Sequence, residues 1–213
     1  MASNISPLLE RLKLQYPCSF SSQTLNRILT EDELSVLSKA NILKQGQPKN
    51  EVLCQSCEDG HFAEVKYDND DKPFIVCDRE GITKTYLEPD ELKTWQFDIS
   101  RFLELVAKEF GVKNDIKTLS ANDLWNIGAL QKDGRHFLVF YSRTDNLNSY
   151  KDFFDAFKSA VRAFIIFTNT RTSLVSLEKA EVIIIPIADL VELKKNSLAW
   201  NTEYFQEQIL VSF

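Results

Sequence analysis

The chain has 213 residues, a mass of 24.5 kDa and a formal net charge of −6, with 44% hydrophobic and 26% charged residues. That is enough apolar side chain for a core, which excludes a wholly disordered chain, while six Gly and six Pro exclude fibrous and low-complexity classes. The negative balance excludes a protein that coats nucleic acid by bulk charge.

The charge is unevenly spread. Residues 1–50 hold six basic and four acidic side chains, whereas residues 51–90 hold four and eleven; the remainder is close to neutral. The acidic stretch also contains three of the four Cys. The N-terminus lacks the continuous apolar core of a signal peptide, and the longest apolar runs are strand-length. A soluble, cytoplasmic protein without membrane contact is expected, in which cysteines serve as metal ligands or free thiols rather than disulfides.

In chain order, residues 5–15 read as a short helix with Leu8, Leu9 and Leu12 on one side. Ser22 opens a further helical turn through Leu25 and Ile28. Thr30-Glu31-Asp32-Glu33 is a capping box, followed by Leu34, Leu37, Ala40 and Leu43 at helical spacing. Residues 1–50 thus resemble the helical half of a winged-helix or helix-turn-helix module. Residues 51–87 change to period two: His61–Tyr67 and Pro73–Cys77 flank an Asn/Asp-rich turn as a β-hairpin, with a third strand at Ile82–Leu87. Residues 88–134 return to helix. Glu88-Pro-Asp-Glu91 starts one that buries Leu92 and Trp95. A second runs from Asp98 or Ser100 to a Gly111 cap, and a third, capped by Ser120–Asp123, carries Leu124, Trp125 and Ile127 to Gly128. Residues 135–213 alternate apolar strands (136–141, 164–168, 182–187) with helices, one bearing Tyr150, Phe153, Phe154, Phe157 and Val161, another at 173–180. Asp189–Leu193 and Thr202–Gln208 add closing helices. The expected fold is α+β: a helical N-terminal module, a zinc-ribbon-like hairpin, a short helical middle, and a C-terminal three-layer α/β domain on a small parallel sheet.

The sharpest constellation is Cys54-x2-Cys57-x3-His61-x15-Cys77. Two thiolates two residues apart can curl around one ion, which then needs two further ligands for tetrahedral closure. A turn flanked by Tyr67 and Pro73 puts Cys77 opposite Ala63, with His61 two residues further on the same face. Cys54, Cys57, His61 and Cys77 are therefore expected to hold a structural Zn²⁺, with Glu58 or Cys18 as substitutes should His61 not bind. A redox role for Cys54 and Cys57 is the next alternative.

No complete catalytic signature is present, and a non-enzymatic role is favoured. Glu192-Leu-Lys194, near Asp189, resembles the acid–Lys element of metal-dependent nucleases, but Glu-x-Lys recurs by chance. Beyond the strand ends of the α/β half lie Arg143, Asp145, Asn169 and Arg171, a candidate pocket for a phosphate or nucleotide. Lys39, Lys44 and Lys49 are candidate phosphate contacts of the N-terminal module. The reading that unites these parts is a zinc-containing, nucleic-acid-associated regulator or adaptor without catalysis. The alternatives are a protein-interaction subunit of a larger complex or homo-oligomer, and a metal-dependent nuclease. A zinc ribbon with flanking helical modules is met in bacterial regulators and in mobile-element or defence proteins, an analogy of architecture.

Overall fold

Apolar patterning dictates where the chain turns from helix to strand, and the computed structural model follows it for most of its length. It describes residues 3–14, 18–55, 57, 60–77, 79, 83–120, 123–144, 146–157, 163–170 and 181–211. The chain begins with β1 (Ser3–Asn4) and α1 (Ser6–Leu14), which buries Leu8, Leu9 and Leu12. β2 (Ser19–Ser21) leads into α2 (Ser22–Ile28), whose first turn is capped by the Ser21 hydroxyl. In α3 (Glu31–Lys39) the capping box is complete: the Glu33 amide donates to Thr30 Oγ1 at 3.4 Å, and the Thr30 amide to Glu33 Oε2 at 2.6 Å. β3 (Leu43–Gln45) follows.

Residues 51–87 form two small sheets. β4 (Glu51–Leu53) pairs with β5 (Phe62–Glu64), and β6 (Lys66–Tyr67), β7 (Pro73–Cys77) and β8 (Thr83–Tyr86) form an antiparallel meander. The expected hairpin register holds near the turn, where Tyr67 pairs with Pro73 and Lys66 with Phe74. It then splits, because β5 leaves β7 to pair with β4.

After α4 (Pro89–Leu92), the chain enters β9 (Thr94–Phe97). The helix expected to carry both Leu92 and Trp95 therefore ends at Leu92. Trp95 lies on a strand, its indole N–H donating to Ser22 Oγ at 3.1 Å. β9 is the centre of an antiparallel sheet of order β2-β9-β3. β3 and β9 are thus neighbours, and everything between them is an excursion from one edge. Its legs stay joined: the Gly46 amide donates to the Thr94 carbonyl at 2.9 Å and the Lys49 amide to that of Leu92 at 3.0 Å.

α5 (Ile99–Glu109) is N-capped by Asp98 and ends at Gly111, whose φ of +68° is the left-handed conformation such an end requires. β10 (Lys113–Ser120), β11 (Leu124–Lys132) and β12 (Arg135–Ser142) form an antiparallel meander. The third helix expected in the middle segment is absent: Leu124, Trp125 and Ile127 lie on β11. Gly128 marks a bulge there rather than a helix end, with φ +143° and the Lys113 carbonyl oxygen 1.8 Å from where a Cβ would stand.

α6 (Lys151–Phe157) precedes β13 (Ala163–Thr168), and β14 (Glu181–Pro186) lies beyond it. β12, β13 and β14 run parallel, so the sheet is mixed, order β10-β11-β12-β13-β14. The helix expected at 173–180 lies outside the described residues. The segment 189–193 is not helical. A single 3₁₀ turn at Ile187–Asp189 leads into a hairpin of β15 (Val191–Lys194) and β16 (Ser197–Trp200). β1 pairs with β15, and α7 (Thr202–Val211) closes the chain.

Both faces of the five-stranded sheet are covered. On one, Phe137, Val139, Ile165, Phe167 and Ile185 share a continuous core with α1, α5 and α7, which extends to Leu25 and Leu37 of α2 and α3. On the other, Phe140, Phe164 and Ile166 pack against Phe154 of α6. The 51–87 segment has its own small cluster, built from Cys54, Ala63, Ile75 and Cys77. Among the described residues no helix is long and apolar enough to cross a membrane.

Candidate metal centre

The Cys54–His61 knuckle is shaped by its backbone. The Cys54 amide donates to the His61 carbonyl at 2.7 Å, closing the loop at the base of the β4–β5 ribbon. Gly60 takes φ +53° to make the turn. β7 brings the third cysteine from the neighbouring sheet, and the alternation of its side chains turns Pro73, Ile75 and Cys77 inward. The ligand atoms of Cys54, Cys57, His61 and Cys77 then all lie within 4.8 Å of one another. Cys54 and Cys77 are 2% and 1% exposed, while Cys57 and His61 are half-buried at the rim.

The donor set fits a structural zinc. A tetrahedral ion with Zn–S bonds of ~2.3 Å separates its sulfurs by about 3.8 Å, which a group of this size accommodates. Cys57 Sγ stands 3.0 Å from His61 Nδ1, so that imidazole nitrogen faces the cluster. Desolvation, and then the neighbouring Cys54 and Cys77 sulfurs, push the Cys57 thiol up to about 11. With no cation beside it the Cys57 thiol holds its proton, and a divalent cation reverses that preference by stabilising the thiolate. The chain offers four such side chains, and among the described residues no carboxylate belongs to the group. Of the two substitutes, Cys18 sits far from it in the main core, its carbonyl accepting from the Phe97 amide. Glu58 lies outside the described residues.

The candidate ligand residues at the strand ends behave differently. Arg143 and Asn169 do converge, and they grip α1. Arg143 donates to the Leu12 carbonyl at 2.9 Å and to Asp123 Oδ1 at 2.7 Å. Asn169 Nδ2 donates to the carbonyls of Leu9 and Arg143. The Tyr141 hydroxyl donates to Asn169 Oδ1, and Lys13 to Thr170 Oγ1. Burial pushes the Tyr141 phenol up, so it stays a donor. The last carbonyls of a helix need partners; this crest of the sheet supplies one to Leu12 and adds a second bond to the Leu9 carbonyl inside α1. Asp145 and Arg171 lie outside the described residues.

The three candidate lysines are not alike. Lys44 is paired with Asp98 at 2.6 Å, Lys39 is exposed at the end of α3, and Lys49 borders a cavity above β4. α3 itself packs against the β15–β16 hairpin. Glu192 and Lys194 lie exposed on β15 beside a cavity of about 270 Å³. Among the described residues the cysteine–histidine group is the one cluster of three or more metal-ligating side chains.

What the sequence reading missed is the outward face of the β4–β5 ribbon, where Glu51, Leu53, Phe62 and Glu64 are exposed. The signal was there, since Glu51-Val-Leu53 and Phe62-Ala-Glu64 both alternate, but the pairing that joins them is long-range. No family model matches the chain, and neither a curated protein nor a solved structure matches it.

Proposed function

We propose that the chain is a non-catalytic, zinc-stapled adaptor of the regulator class, built on a winged-helix-like N-terminal module with a zinc-ribbon-like segment inserted at its wing. The observation that carries this is the closed Cys54–Cys57–His61–Cys77 group. A catalytic zinc keeps one position open for water, whereas a four-ligand site serves structure. When bound, the metal supplies a cross-link between the β4–β5 knuckle and β7. The small apolar cluster beneath it contributes too little burial to hold the segment alone. Four free cysteines suit the reducing cytoplasm.

The strand order β2-β9-β3, with α2 and α3 between β2 and β3, supports the winged-helix comparison and keeps a nucleic-acid role as the second reading. The surface supports the adaptor reading better. α3 begins with Glu31, Asp32 and Glu33, Lys44 is already paired, and the inserted segment is acidic.

Elemental analysis of the purified chain tests the main reading: one zinc per chain is expected, and Cys54→Ser with Cys77→Ser is expected to lose it. A chain purified under reducing conditions that neither carries nor takes up zinc refutes the staple. Gel shifts on random duplex DNA across a salt series test the second reading, which needs binding at low salt that Lys39→Ala and Lys49→Ala weaken.

A further inference from the structure

We propose that the outward face of the β4–β5 ribbon docks a basic, extended protein segment in which a bulky apolar side chain stands two residues from a Lys or Arg. This deepens the adaptor reading above and rests on it. In the ribbon, Val52 pairs with Ala63, and these two turn toward the small core under the metal group. Strand side chains alternate, so Glu51 and Leu53 share the opposite face with their partners Glu64 and Phe62. That face is a tile of two cross-strand pairs: one leaves apolar area in water and the other sets like charges opposite each other.

The first pair is apolar. Leu53 and Phe62 face each other across the strands yet remain 56% and 71% exposed. Leu53 also reaches the rim of a cavity of about 380 Å³, whose lining includes Val52 and Ile75 of the inner cluster together with Lys49 and Glu91. The second pair is Glu51 opposite Glu64. Like charges directly across a ribbon repel, and no ion pair among the described residues neutralises either carboxylate.

One occupant relieves both pairs at once: an apolar side chain over Leu53 and Phe62, and a cation over the two carboxylates. The pairs are two residues apart, about 7 Å along a strand, so an extended partner matches them with its own i, i+2 spacing. Charge selects the partner class further. The surrounding segment repels phosphate, and a second copy of this chain would set its own Glu51 and Glu64 against this pair, four carboxylates in all.

The test is selection of a phage-displayed random dodecapeptide library on the zinc-loaded full chain, followed by titration of the enriched peptides as fluorescein conjugates. Enriched sequences are expected to place Phe, Leu or Ile two residues from Lys or Arg. Glu51→Gln with Glu64→Gln should weaken them roughly tenfold, and Leu53→Ser with Phe62→Ser should weaken them at least as much. Zinc content should be unchanged in both variants. A zinc-loaded chain that enriches nothing, that enriches acidic or uncharged peptides, or whose binding ignores both double variants overturns the proposal and leaves the staple standing. Self-association that Leu53→Ser with Phe62→Ser abolishes overturns it as well, because the occupant is then a second copy. A chain that lacks zinc and still selects basic–apolar peptides supports the docking face while refuting the staple.

Discussion

The metal segment and the five-stranded sheet are held together by different means. The sheet buries Phe140, Phe164, Phe167, Ile165 and Ile166 between helices on both faces, and its stability comes from apolar area removed from water. The 51–87 segment has short strands and a cluster in which two of the four buried residues are cysteines. Without a cross-link it has little to oppose its conformational entropy. The difference teaches that packing accounts for the rigidity of the sheet but not of the 51–87 segment, where four side chains close enough to hold a metal ion stand in place of a large core. That segment is also the one that presents exposed apolar and acidic side chains.

The largest expected effect breaks the comparison on the metal side. Stripping zinc with a chelator removes a coordination free energy of about 10 kcal/mol from the segment. Amide hydrogen exchange should then lose protection across 51–87 while 137–141 and 163–168 stay protected. Falling pH does the same, since protons displace the metal from thiolates and imidazole. Equal loss in both regions would show that the segment is integral to the main core.

On the packing side, Phe140→Ala removes a fully buried ring stacked edge-on against Phe153 and Phe154. A global loss of about 3–5 kcal/mol is expected by denaturant titration, with zinc content intact. Gly128→Ala places a Cβ against the Lys113 carbonyl and should cost about 3 kcal/mol by prying β10 from β11, read in the same titration.

How legible were these regions beforehand? The three parallel strands were plain, because continuous apolar runs such as Phe164–Phe167 are buried on both faces. β11 misled for the same reason. Leu124 packs toward α6 and Trp125 toward α5 and α1, so period two is hidden, and the cap-like Ser120–Asp123 imitates a helix start. β2, β3 and β9 are three or four residues each, too short for any periodic signal. The four candidate ligands were legible because they fall within 24 residues of one another, although they close on each other from two neighbouring sheets rather than one hairpin. The grip of Arg143 and Asn169 on α1 was not, as it joins residues more than 130 positions apart.

The smallest expected effect lies where the two regions meet. Asp98 caps α5 by accepting from the Arg101 amide at 2.9 Å and pairs with Lys44 on β3, the strand from which the excursion departs. Burial pushes its carboxyl up, but the Lys44 and Arg101 contacts outweigh this and hold it below the usual value. A lowered folded-state value means that this stability is present above the ordinary carboxylate range and lost as pH falls below it. Asp98→Ala should cost about 1 kcal/mol at neutral pH and correspondingly less in acid, measured by denaturant titration at both pH values.

The sequence by itself determined the helix cap at Thr30, a helix start at Asp98 or Ser100, the parallel strands and the four side chains that could hold a metal ion. Each depends on residues close in the chain or on a run long enough to reveal its own period. Only the tertiary structure decided that β3 and β9 are neighbours, that α1 occupies the crest where a ligand was expected, and that Glu51 faces Glu64. Those are pairings between distant segments, fixed by competition among buried surfaces rather than by local preference. The acidity behind the −6 of the whole chain is concentrated in residues 51–90, whose ribbon sets an acidic, partly apolar tile beside four side chains close enough to hold a metal ion.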